Sequence, residues 1–174
     1  MANAIISIHR MKKKWEITEK VIGAFQIFFG ILILVLEIWS IKLSFNIGLK
    51  HYNYSWENIS IFKIFKNYHY QILIPLLTIF AGVTLMLKKR IGWLFGVVTS
   101  VLHVMSMILF SVTNATVENK YLNFIYVFIS TLFILITVLL MNKHIRSKYN
   151  LTKQTWVIIG LLLILLFLDK LFIK

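Results

Sequence analysis

The chain contains no cysteine, a single proline and only six acidic residues. Without cysteine there are no disulfides, no thiol nucleophile and no thiolate metal site, and the redox compartment stays undefined. Six carboxylates, mostly outside the apolar runs, leave little from which to build an acid–base pair. The five histidines, His9, His51, His69, His103 and His144, are scattered. No H-E-x-x-H, paired carboxylates or glycine-rich phosphate loop occurs. The expectation is therefore a non-enzymatic protein with no catalytic residue, cofactor or metal.

What the chain has in abundance is apolar sequence. Hydrophobic residues make up 59% of its 174 positions. Mean hydropathy is +0.82, well beyond a soluble domain at roughly 45–50% apolar. Apolar runs at about 21–43, 70–87, 91–112, 121–141 and 154–173 each approach the ~20 residues needed to cross a bilayer. The fold class expected is all-α: a polytopic membrane helical bundle of five transmembrane helices. The count drops to four if the first run lies in the interface. Residues 1–20 form a basic N-terminal segment, and 21–174 a single transmembrane domain. Met11 offers a second start within the basic segment. Lys12-Lys13-Lys14 before the first run resemble a signal peptide, but that run is too long for one and no A-x-A site follows it.

The third run is the most patterned. At 100° per residue, Gly92, Gly96, Thr99, His103, Ser106 and Phe110 share one side, which should face protein. Leu94, Val97, Val101, Val104, Met105 and Ile108 share the other, which should face lipid. Gly92-x-x-x-Gly96, extended by Ser100, matches the small-residue packing motif. It fits packing within the chain and a homo-oligomeric contact equally. The first run carries a second stripe, with Gly23, Gly30 and Glu37 seven apart and Gln26, Ile33 and Ser40 on the same face. Glu37 is the one carboxylate well inside a span. Ionisable groups at such depth cost on the order of 3 kcal/mol and should face protein or water. Glu37 and His103 lie at similar depth, so they could meet as a proton or ion relay or as a structural hydrogen bond. Gln26 and Ser106 complete the polar intramembrane candidates.

Between the first two runs, residues 44–69 read as a loop rich in aromatics, with an amphipathic interfacial helix from Ser60 onward. Pro75 falls near the start of the second span, where a missing N–H costs least. Lys88-Lys89-Arg90 make a tight turn, so spans two and three should form an antiparallel hairpin. Trp39, Trp93 and Trp156 sit at expected interfaces. Asp169 and Lys170 lie close enough to the last span's end to snorkel.

Charge orients the bundle. With five spans and the N-terminus inside, Arg10, Lys12, Lys13, Lys14, Lys20, Lys88, Lys89, Arg90, Lys143, Arg146, Lys148 and Lys153 are cytoplasmic. That is 12 of the 19 basic residues, against 7 outside, as the positive-inside rule requires. The same cations explain the net charge of +13 without nucleic acid, so no direct nucleic-acid binding is expected. Lysine far exceeds arginine, and Ile, Asn and Phe are abundant, which suits an AT-rich bacterial genome. The expected setting is the inner membrane.

In size, four-or-five-span plan and Lys/Ile/Asn/Phe-rich composition, the chain resembles the membrane accessory proteins of type VI-B CRISPR loci. No motif enters that resemblance, and it carries over no functional position. It implies a non-enzymatic effector or modulator of an RNA-guided RNA nuclease in antiphage defence, with an oligomeric pore as one form of action. A small proton- or ion-coupled transporter using Glu37 and His103 is the alternative. A structural subunit of a larger membrane complex is the third reading. The partners implied are the lipid bilayer and either further copies of the chain or another membrane protein.

Overall fold

The structure, a computed structural model, describes residues 2–51, 61–113 and 120–172. Its elements are α1 (Ala2–His51), α2 (Ile61–Met86), α3 (Arg90–Thr113), α4 (Lys120–Met141), α5 (Lys143–Arg146), a 3-10 turn (Ser147–Tyr149) and α6 (Lys153–Phe172). No strand occurs among the described residues. This is the all-α bundle that long apolar runs demand, because in lipid every backbone N–H and C=O must find its partner within the chain. Four helices are long and apolar enough to cross a membrane. A fifth crossing is reached by joining 143–149 to 153–169 across a bend of 102°.

The first run proves to be part of a long, continuous helix, so the four-or-five question moves to the last run. There the polar contacts are informative. Arg90, at the start of α3, donates to Thr152 and Thr155 at the head of α6. Asp169, near the other end of α6, meets His69 near the start of α2 at 2.9 Å. The 20-residue α6 therefore runs the length of the α2–α3 hairpin, about 30 Å. The elbow at 143–149 lies across the basic end of the bundle, outside the crossing rods.

Glycine decides how α1 and α2 dock. A Cβ on Gly23 would sit 2.8 Å from the Gly82 carbonyl oxygen and 2.6 Å from Met86 Cγ. One on Gly30 would sit 3.0 Å from the Pro75 carbonyl oxygen. Backbone thus meets backbone along the Gly23/Gly30 stripe. Gly92 plays the same part in the hairpin, where a Cβ would collide with the backbone of Thr84 and Leu85. The hairpin turn closes with Lys89 N–H on Thr84 O and Lys88 N–H on Leu85 O, both 2.9 Å. This is a Schellman closure in which Lys88, at φ 55°, occupies the left-handed position that glycine usually fills.

Several expectations change. α1 continues to His51 and α2 begins at Ile61. Residues 61–69 are thus the opening turns of a transmembrane helix rather than a separate interfacial helix, since nothing between Asn67 and Gln71 breaks the backbone ladder. The loop aromatics Tyr52, Tyr54 and Trp56, and the side chains of the expected amphipathic face at 61–65, lie outside the described residues, as does the loop at 114–119. Pro75 stands well inside α2 and is buried.

The expected lipid side of α3 is also wrong in its first half. Leu94 and Val97 are buried, because α3 is the central rod and packs against α2, α4 and α6. Only Ile108, of the residues assigned to lipid, is exposed. Trp93 is fully buried within the bundle, donating from Nε1 to Leu140 O at 2.7 Å. Trp39 and Trp156 remain exposed, the latter edge-on to Trp93. Asp169 does not snorkel; its carboxylate is committed to His69.

Candidate functional site

Inside the bundle, polar side chains from α1, α2 and α3 form a buried seam. Gln26, Thr78, Thr99, Ser100 and His103 are all buried. Gln26 Nε2 donates to Gly96 O at 3.2 Å and to Ser100 Oγ at 3.4 Å. Gly96 sits in close quarters here, since a Cβ would stand 3.2 Å from Leu140 Cδ1 and 3.4 Å from that same Nε2. The glycine and serine of the α3 motif are therefore used within the chain, and Gly92-x-x-x-Gly96 is not free to pair with a second copy.

His103 pairs with Thr78, Nε2 to Oγ1, at 3.0 Å. The hydroxyl proton of Thr78 already goes to Ile74 O at 2.8 Å. Thr78 can then only accept from the ring, which assigns a proton to Nε2. Two aromatic rings close around it, Phe133 stacked at 4.5 Å and Phe29 edge-on at 5.6 Å. Ser106, lower on the same face, hydrogen-bonds Tyr70 of α2.

Glu37 is not part of this seam. It is half-buried on α1 and has no hydrogen bond or ion pair among the described residues. The expected Glu37–His103 contact is absent; similar depth does not bring two side chains together when their helices turn them toward different neighbours. The other three acids in the described residues each meet a basic side chain from a distant part of the chain. Asp169 takes His69, Glu16 takes Lys88 at 3.0 Å, and Glu19 takes Lys148 at 2.8 Å.

Glu19 and its neighbours were not legible as a site. The Glu19 side chain is 2% exposed and its Oε1 has no hydrogen bond of standard geometry. The Tyr149 hydroxyl is equally orphaned and lies against that carboxylate. Burial first, then the nearby Glu19 charge, push the Tyr149 phenol up, so it keeps its proton at neutral pH as the donor Glu19 can use. A signal existed: Glu19 continues the Gln26, Ile33, Ser40 series by seven residues. Its position in the basic N-terminal segment masked it.

Around this cluster lies the basic end. Lys13, Lys14, Lys20, Lys88, Lys89, Arg90, Lys143, Arg146, Lys148 and Lys153 are all exposed there. Trp15 stacks on His144 at 5.4 Å, joining α1 to the elbow. No group of three or more potential metal ligands occurs among the described residues. Comparison with protein-family models, curated proteins and solved structures gives no match.

Proposed function

We propose that the chain is a non-enzymatic membrane accessory protein, an effector or modulator of a bacterial defence system that acts as an assembly of several copies. Glu37 carries this reading. An unpaired carboxylate at bilayer depth costs on the order of 3 kcal/mol at a helix centre, and it stands on an edge helix whose Ile31, Leu32, Val35, Leu36, Ile38 and Trp39 are exposed. A second copy, or a water column enclosed between copies, relieves that cost.

The seam inside one bundle is poor material for a pathway. Its threonine hydroxyls donate to the backbone of their own helices, Gln26 reaches only across to α3 and leaves its Oε1 without a partner, and Phe29 and Phe133 wall in His103. A conducting route would therefore form between subunits. The same facts count against a carrier built on Glu37 and His103. A structural subunit of a larger complex shares the Glu37 argument, with a foreign helix replacing the second copy. The defence setting rests on the resemblance in size, span plan and composition. The basic end would face the cytoplasm and a soluble partner there, in keeping with the positive-inside rule.

The test is expression of the chain alone and beside an activated RNA-guided RNA nuclease, with membrane potential and dye entry recorded. Depolarisation on activation, reduced in Glu37→Gln, is expected. Unchanged potential and dye entry in both conditions, together with a monomer in mild detergent, would remove the proposal.

A further inference from the structure

The elbow that turns α4 into α6 forms an open groove of about 420 Å3, lined by Lys143, His144, Arg146, Ser147, Asn150 and Leu151. Its shape comes from local chemistry. Asn142 caps α5 by accepting from His144 N–H at 3.0 Å. Asn150 adopts a left-handed conformation at φ 45°, which asparagine tolerates, and swings the chain into α6. Ile145 and Tyr149 are buried beneath the elbow and hold it to the bundle.

The cations around this groove are unspent. Lys143 and Arg146 have exposed side chains that form no ion pair or side-chain hydrogen bond among the described residues. Lys148, by contrast, is taken by Glu19, Lys88 by Glu16, and Arg90 by Thr152 and Thr155. Two free cations and the Asn150 amide thus line one surface without a carboxylate in its lining, beside Ser147, whose hydroxyl donates to His144 O at 3.3 Å. Such a donor set suits a phosphate: the guanidinium can bind two oxygens at once and the ammonium supplies a point charge.

Depth identifies the carrier of that phosphate. The elbow joins the ends of two lipid-facing rods, where headgroups lie, and Leu151 forms an apolar wall toward α6. Trp156, one turn further on and exposed, stands where an amphipathic ring meets the glycerol region. We infer that the elbow groove is a binding site for the phosphate of an anionic phospholipid headgroup, held by Lys143 and Arg146 with Asn150. This needs the bundle to sit in a bilayer and is independent of the defence reading.

The experiment uses the full chain in nanodiscs of phosphatidylcholine mixed with phosphatidylglycerol, with retained lipid counted by native mass spectrometry after extraction. Phosphatidylglycerol should be retained selectively. Lys143→Gln with Arg146→Gln should weaken retention about thirty-fold, about five-fold for each cation. Lys143→Arg with Arg146→Lys should keep it, which separates lost charge from lost fold. Lys13→Gln with Lys14→Gln removes equal charge elsewhere on the basic end and should leave retention within about two-fold. Millimolar inorganic phosphate should not displace the lipid. Equal retention in the elbow double variant, equal loss in the Lys13/Lys14 control, or displacement by inorganic phosphate would each overturn the inference.

Discussion

At the scale of single residues, burial decides what an ion pair is worth. Glu19 is almost wholly enclosed, and Lys148 is its one cation. Removing Lys148 leaves a charge in a poor dielectric, so Lys148→Ala should cost about 3–5 kcal/mol. Glu16 and Lys88 form an equally short pair, but both are about half exposed. Glu16→Gln should therefore leave stability nearly unchanged. Thermal unfolding in detergent, scored as paired melting shifts, checks the contrast. Equal shifts would mean that Glu19 is wetter than its surroundings imply. His103 is the third test. Its ring fills space between Phe29 and Phe133, so His103→Ala should cost about 2–4 kcal/mol as a cavity. His103→Phe should cost less, because it keeps the stack and loses only a bond worth about 1 kcal/mol.

At the scale of helices, close approach depends on missing side chains. Gly82→Ala would place a Cβ against the Gly23 carbonyl and, at 2.9 Å, the backbone nitrogen of Ile27. Neither backbone can yield without separating α1 from α2. That variant should lose several degrees in melting temperature, while Gly160→Ala, with nothing within 4 Å, should hold or gain slightly. An unchanged or raised melting temperature in Gly82→Ala, like that expected of Gly160→Ala, would show that helix propensity outweighs docking there. Much of this docking was legible beforehand. The Gly23/Gly30 stripe and the Lys88-Lys89-Arg90 turn are local patterns, and local patterns survive into the fold. What was illegible depends on rotation between helices. Glu37 and His103 share a depth but not an azimuth, Trp93 turns inward because α4 lies beside it, and Leu94 is covered by rods whose positions no periodicity reports. The helical continuity of 61–69 with the second span was hidden for another reason: an amphipathic opening reads alike whether it lies along the interface or leads straight into the membrane.

At the scale of the whole molecule, the arrangement is a hairpin of α2 and α3 with α1 on one flank and α4 and α6 on the others. One end is strongly basic, tied by Glu16, Glu19, Trp15 and Arg90. The opposite end is tied by His69 and Asp169. The apolar rods and the charge bias were readable from composition and spacing. The elbow was not, because a short basic stretch looks like an ordinary connection until its backbone is seen to turn through 102°. The absence of cysteine makes the whole arrangement directly measurable. Single cysteines are introduced as Asn46→Cys near the end of α1 and Lys89→Cys in the hairpin turn, and a tag is added after Lys174. Each is exposed to a membrane-impermeant reagent in intact and opened cells. A bundle whose α6 traverses the membrane predicts that Asn46→Cys and the tag react on one side and Lys89→Cys on the other. Reaction of Asn46→Cys and Lys89→Cys from the same side, or of Lys89→Cys together with the tag, would contradict it.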